Sequence, residues 1–229
     1  MKLFSGFDIG IKNLAYCVID SDEWKNKNYD KSIIKWENIN LIETKECCSV
    51  YKSGSKKDKV CGSPASFVKD TQYYCGRHKP KESKSYKQKN SKSYPVTTII
   101  KMAFEALDRE QELFKKVESI VIELQPSKNP SMKRLSNGIE AYFILRYQMI
   151  ENPVLKTLKY SSAKNKLKVY KGAKMESTKK TAYDKRKQIA QLHTEEMLRG
   201  TEIIKVYEMS KKKDDLADAF LHCVGSLKN

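Results

Sequence analysis

Four acidic residues stand where an acid is costly. Asp8 follows an apolar stretch near the N-terminus, and Glu123 ends the β-branched run Ser119-Ile-Val-Ile-Glu123. Asp215 and Asp218 sit three apart at the start of the last apolar segment. That spacing projects both from one face of a helix. An acid among apolar strand residues is expensive to bury alone. Several converging carboxylates repel one another unless a cation lies between them. An all-oxygen set of this kind suits Mg²⁺, with Mn²⁺ as a substitute. Two such ions roughly 4 Å apart would stabilise the attacking water and the leaving 3′ oxygen of a phosphodiester. Taken singly, each acid has a structural reading: Asp8 in a turn, Asp214 or Asp215 capping the last helix, Glu123 at a strand-end surface. Taken together in a chain this rich in lysine, they read as a metal site.

A second set of residues has a different chemistry. Of the six cysteines, Cys17 and Cys223 lie in apolar segments, while Cys47, Cys48, Cys61 and Cys75 crowd into one region with His78. Cys75-x-x-His78 has tight knuckle spacing, and zinc takes four such ligands. The reading is a structural zinc on Cys48, Cys61, Cys75 and His78, with Cys47 as the substitute for Cys48. Metal binding would fold a segment too polar to fold by burial. Free cysteines in a flexible loop are the alternative.

The elements that must position these residues form an α/β pattern. Residues 3–9 and 14–20 read as a hairpin around the turn 10–13, and 33–42 as a third strand. Helical spacing returns at 96–114, followed by the buried strand 119–123. A polar stretch at 127–137 precedes a helix over 138–150, stopped by Pro153. A strand at 154–160, a basic helix at 178–199 and an amphipathic helix at 214–227 complete an α/β layer fold. Residues 45–95 break the pattern as a basic Cys/His insertion, so the core comprises 1–44 and 96–229. The tail of the insertion, 79–92, carries lysines every two or three residues and is expected to be mobile until it meets a phosphate backbone.

The charge balance points to the partner. Lys plus Arg number 45 against 28 Asp plus Glu, a formal net charge of +17. A field of that sign and size favours nucleic acid. Lys52, Lys56, Lys57 and Lys59 flank the cysteines as an extra DNA-binding arm. Tyr73, Tyr74, Tyr86 and Tyr94 interleave with lysines and could stack on unpaired bases, or could be partly buried. No apolar run reaches the roughly 18 residues of a membrane span. Residues 2–20 read as folded strands rather than a secretory leader. The cysteine usage suits a reducing intracellular compartment, whether a viral cytoplasmic factory, a nucleus or a mitochondrion.

The acidic segments also carry a resemblance. Phe7-Asp8-Ile-Gly-Ile-Lys-Asn-Leu-Ala15, Val121-Ile-Glu-Leu-Gln-Pro126 and Asp214-Asp215-Leu-Ala-Asp218-Ala219 resemble the three acidic motifs of RuvC-like Holliday junction resolvases. The similarity is greatest to the branch holding poxvirus, other large-DNA-virus and fungal mitochondrial enzymes, and it covers 1–44 and 96–229. It implies an RNase H-like mixed sheet flanked by helices, and an Mg²⁺-dependent endonuclease acting on four-way DNA in recombination and repair. Asp8, Glu123, Asp215 and Asp218 would be its metal ligands, leaving Asp214 as the helix cap. The resemblance further implies a basic residue near the scissile phosphate: Lys166, with Lys164 and Lys168 as rivals. It implies a homodimer too, for which the helix 138–150 is a candidate interface, with a place in the core as the equal alternative. The Cys/His insertion departs from the minimal resolvase pattern. A broader nuclease for flaps, forks or RNA–DNA hybrids is an alternative, and so is a zinc-stabilised binding protein whose acids are structural.

Overall fold

The computed structural model describes residues 1–126 and 128–227. It divides into two compact units, 1–41 with 96–229, and 42–95. The break falls at 41/42, where composition suggests 44/45.

The larger unit begins with β1 (Leu3–Ile9) and β2 (Asn13–Asp20), an antiparallel pair in which Phe7 faces Tyr16 and Gly6 faces Cys17. Two short helices follow, α1 (Ser21–Lys25) and α2 (Tyr29–Ser32), then β3 (Ile33–Asn40) antiparallel to β2.

The smaller unit, taken by itself, has a three-stranded antiparallel sheet of very short strands: β4 (Phe67–Lys69), β5 (Gln72–Tyr74) and β6 (Lys84–Ser85), in the order β5-β4-β6. Asp70 and Thr71 close the β4–β5 hairpin, both with positive φ, as a two-residue primed turn demands. The tail is more ordered than its lysine pattern suggests. Its Gln88 side chain accepts from the Lys45 backbone N–H and donates to the Lys45 and Ala65 carbonyls, and Tyr86 N–H donates to Ser66 O. Those bonds tie Tyr86 and the Gln88 side chain to the backbone at 45 and 65–66, which sequence periodicity cannot reveal.

The chain re-enters the larger unit with α3 (Val96–Asp108) and α4 (Gln111–Phe114). Next come β7 (Val117–Glu123) and α5 (Pro130–Phe143), which runs on through a π turn at Ile144–Gln148. Helix α5 starts well before the expected position 138. Pro130 occupies its first turn and the Asn129 side chain caps Met132 N–H at 3.2 Å, a start signal that outweighs the polar composition. Strand β8 (Thr157–Ser161), α6 (Ala163–Lys166), α7 (Ala182–Met197), α8 (Ile204–Met209) and α9 (Lys213–Ser226) finish the fold.

The main sheet has the order β3-β2-β1-β7-β8, with β1, β7 and β8 parallel and β2 and β3 antiparallel. It is the RNase H-like mixed sheet flanked by helices that the resemblance implies. Alternation along β1 and β2 divides the core between two faces. On one, Phe7 and Tyr16 stack at 5.7 Å and pack with Phe114 and Phe143. On the other, Ala15, Cys17 and Ile19 pack with Trp36, Leu216 and Phe220. Each such buried aromatic or aliphatic side chain contributes about 1.5–3 kcal/mol. Among the described residues no helix is long and apolar enough to cross a membrane.

Candidate active site

Register brings the first two acids together. Phe7 pairs with Ile122 across the parallel strands β1 and β7. Asp8 and Glu123 come one residue later, at the carboxyl ends of neighbouring strands, where open α/β sheets bind ligands. The third acid arrives on α9. A Cβ on Gly6 would stand 2.3 Å from Cys223 N and 2.4 Å from Ala219 O. The helix backbone therefore lies directly on β1, an approach open only to glycine. Asp218 precedes Ala219 and so reaches the strand ends on the face that Gly6 and Asp8 share. Trp36 Nε1 donates to Leu216 O at 3.0 Å and seats the start of the helix.

Asp8, Glu123 and Asp218 each offer a carboxylate oxygen within 4.8 Å of the others. Lys166 reaches into this trio from α6. Its Nζ lies 2.5 Å from Asp218 Oδ2 and 3.3 Å from Glu123 Oε1, with only 7% of the side chain exposed. Lys164 and Lys168 are exposed. Asp215 stands apart from the trio. It lines the same cavity of about 730 Å³, but its Oδ2 accepts from Asn13 Nδ2 at 3.2 Å and Asn38 Nδ2 at 3.1 Å. Tyr183, Arg186 and Lys187 of α7 line that cavity too. Asp214 does not cap α9: the N-cap is Lys212, and Asp214 lies in the first turn paired with Lys187 at 2.5 Å. The cap reading fails because the helix begins two residues earlier than such a cap requires, with Lys212 at the cap, and α7 supplies a cation.

Charge crowding shows in the proton affinities. Burial pushes the Asp8 carboxyl well above its ordinary range, and the charges of Glu123 and Asp218 push it further. Burial likewise raises Asp218, with Glu123 adding to it, and together they outweigh the opposing pull of Lys166. Burial would raise Glu123 as well, but His222, Lys166 and Asp8 hold it below the usual carboxylate range. Burial works against the Lys166 charge, yet Asp218 and Glu123 keep the ammonium protonated. One lysine thus faces three acids, and Asp218 Oδ1 is buried without a hydrogen-bond partner among the described residues. An orphaned buried oxygen beside two further carboxylates fits a hard divalent cation.

His222 is the residue that sequence reasoning missed. Its side chain is fully buried, with Nε2 3.9 Å from Glu123 Oε2. The signal was present in the spacing of Asp215, Asp218 and His222, which share one face of α9. The apolar run Ala219-Phe-Leu-His222-Cys-Val224 disguises it as core.

The smaller unit gathers a second cluster. Cys47, Cys61, Cys75 and His78 bring ligand atoms within 4.8 Å of one another. Cys47 Sγ and Cys75 Sγ lie 3.5 and 3.4 Å from His78 Nδ1, and Cys61 Sγ lies 3.9 Å from Cys75 Sγ. A tetrahedron with Zn–S near 2.3 Å has edges of about 3.8 Å, and these three separations are close to such edges. Cys47 takes the place expected for Cys48. The chain is extended here, with Cys47 N–H bonded to Ser63 O and Cys48 N–H to Tyr73 O. Adjacent side chains of extended chain point opposite ways, leaving Cys47 buried and Cys48 exposed. The Ser63 and Tyr51 hydroxyls hold the Cys61 thiol down to about 5, favouring the thiolate that binds metal. Of the tyrosines, Tyr73 and Tyr86 meet edge to face at 4.8 Å, with Lys45 over Tyr73 at 5.5 Å.

No family model matches the chain. An uncharacterized protein of Acanthamoeba polyphaga mimivirus is 27% identical over 96% of this chain and 73% of its own length. Solved structures with a similar course include the fowlpox virus resolvase in complex with Holliday junction DNA, at 13% identity and a TM-score of 0.48, covering 99% of this chain and 97% of that one. Thermus thermophilus RuvC in complex with a Holliday junction substrate gives 8% identity and a TM-score of 0.48, over 98% and 92% of the two chains. The yeast mitochondrial Holliday junction resolvase gives 18% identity and a TM-score of 0.47, over 98% and 78%.

Proposed function

We propose that this chain is a divalent-cation-dependent endonuclease that resolves four-way DNA junctions by paired phosphodiester hydrolysis in recombination, replication or repair. The observation that carries the reading is the convergence of Asp8, Glu123 and Asp218 around the buried Lys166 in a chain of net charge +17. The three acids would hold Mg²⁺ or Mn²⁺, with Asp215 on the wall of the same cavity as a further oxygen donor. The bound cation would supply Lewis-acid activation of water and of the phosphate. In hydrolysis the water oxygen forms a bond to phosphorus and the P–O3′ bond breaks, leaving a 5′-phosphate and a 3′-hydroxyl. Lys166 would neutralise charge gathering on the phosphate oxygens as that bond breaks. Arg186, Lys187 and Lys164 at the cavity would hold the flanking phosphates of the strand. A homodimer would bring two such sites to the two-fold axis of a junction.

In the smaller unit, residues 45–95 would form a zinc module on Cys47, Cys61, Cys75 and His78, presenting lysines to DNA. Six free cysteines suit a reducing intracellular compartment for such a protein.

Cleavage of synthetic four-way, flap and duplex DNA tests the reading. Symmetric paired nicks on the junction with Mg²⁺, lost in Asp8→Asn, are the expected result. Equal cutting of flaps or forks would make the enzyme a broader structure-selective nuclease. No Mg²⁺-dependent cutting by the intact protein would leave a zinc-stabilised binding protein.

A further inference from the structure

The proposed cation site has a buried residue behind it that no acidic motif includes. His222 lies one helical turn beyond Asp218 on α9, with a side chain that is fully buried. Among the described residues neither ring nitrogen has a hydrogen-bond partner. A buried polar ring without partners is a cost that native structures keep only for a reason. The ring lines a cavity of about 370 Å³ together with Val121, Leu221 and Gly225. The polar group it approaches is Glu123, whose Oε2 is 3.9 Å from Nε2. That distance is too long for a hydrogen bond. The other oxygen, Oε1, is drawn to Lys166 at 3.3 Å. Glu123 is thus pulled toward the lysine and away from the imidazole.

We infer that His222 is a positioning residue for Glu123: its Nε2–H donates to Oε2 once a divalent cation among the acids has relieved the pull of Lys166, and this fixes the direction in which Glu123 presents its remaining oxygen. Donors behind metal-bound carboxylates set ligand orientation and basicity, and their loss typically costs 10–100-fold in metal affinity or activity. Hydrogen bonds of this kind are commonly long before ligands bind. Asp218 and His222 ride on successive turns of one helix face, so the distance between ligand and positioning group is set by the backbone of α9. The inference rests on the cation site proposed above and deepens it.

The test uses the full chain without DNA first. Mn²⁺ titrated calorimetrically into the intact protein, into Asp8→Asn, and into His222→Leu and His222→Gln gives the affinity of the site. His222→Leu keeps the apolar volume and loses the donor; His222→Gln restores a donor. The expected result is a 10–100-fold weaker Mn²⁺ affinity for His222→Leu, most of it recovered in His222→Gln. The Mg²⁺ concentration for half-maximal junction cleavage should rise in parallel, with junction binding in Ca²⁺ unchanged. Wild-type Mn²⁺ affinity in His222→Leu, with binding lost in Asp8→Asn, overturns the role of His222 and leaves the cation site standing. Absence of Mn²⁺ binding to the intact protein overturns both. A readout that needs no variant is the ring-nitrogen NMR of His222 in the intact protein. Mg²⁺ should bring up a single Nε2–H tautomer with an exchange-protected proton, and ring resonances indifferent to Mg²⁺ overturn the proposal even if His222→Leu does not fold.

Discussion

The two units of this chain solve the same problem by opposite means. The larger unit buries aromatic and aliphatic side chains on both faces of a five-stranded sheet, and uses that rigidity to hold acids that repel one another. The smaller unit buries among its described residues little more than Ile42, Cys47 and Ala65. It carries thirteen basic residues against five acidic ones within 42–95. Its strands of two and three residues are far too short to hold together alone; under the proposed zinc reading, soft ligands around a metal would take the place of a core. In the first unit the fold gathers acids that could take a metal; in the second a metal on the Cys/His cluster would make the fold.

The contrast breaks most visibly if the metals are removed separately. Stripping zinc with a strong chelator should cost the smaller unit most of its structure, since structural zinc contributes on the order of 10 kcal/mol to such modules. Amide exchange should show 42–95 losing protection while β1, β7 and α9 keep theirs. Protection retained throughout would mean that burial suffices there after all. Within the cluster, Cys47→Ser should abolish stoichiometric zinc and Cys48→Ser should leave it unchanged, as read by metal analysis.

In the larger unit the expected loss is of chemistry, not of structure. Asp8→Asn or Glu123→Gln should lower junction cleavage about 10³-fold or more, a transition-state loss of several kcal/mol, with unchanged circular dichroism. Unfolding of either variant would show that the acids are structural. Lys166→Met sharpens the same point. It leaves three buried acids without their cation, which should lower stability in EDTA by about 3–5 kcal/mol, and Mn²⁺ should restore much of that in a thermal melt. The smallest effect concerns pH. Asp8 and Asp218 hold protons more tightly than ordinary carboxylates because they are buried beside Glu123. A raised carboxyl pKa in the folded state means that the metal-free fold binds more protons than the unfolded chain. Its contribution to stability is therefore present at acid pH and lost as pH rises through the folded pKa. Mn²⁺ affinity should move the other way, strengthening with pH as the competing protons leave. Calorimetric titration at several pH values reads it directly.

Different parts of this arrangement were unequally legible in the sequence. Asp8, Glu123 and Asp218 stand out because each interrupts an apolar run, and strand pairing and helix spacing are local rules. Lys166 is one of many lysines, and only resemblance singles out its segment; its burial depends on α6 folding back over β7 and α9. Cys47 and Cys48 are adjacent and chemically identical, so the choice between them waits on the direction of an extended backbone. Asp214 has the type and position of a cap, but the Lys187 of a distant helix claims it. His222 was hidden for the reverse reason: an apolar helix with one histidine reads as core until a strand from elsewhere sets Glu123 beside it. The start of α5 was legible in Asn129-Pro130 and was masked by a polar composition around it.

The bare contact at Gly6 has a consequence for how this site can vary. Two backbones meet there with no side chain between them, so the spacing of α9 from β1 has no adjustable part. Every group that α9 brings to the acids inherits that fixed reference, like marks on a rule clamped at one end. Side chains around the cavity can be exchanged without moving that reference, and under the proposed function such exchanges would alter which substrate is accepted. The separation between the acid on the strand and the acid on the helix cannot be retuned by such exchanges. If the proposed function holds, divergent chains built on this contact would be free to change their substrate long before they could change the ion held among the acids.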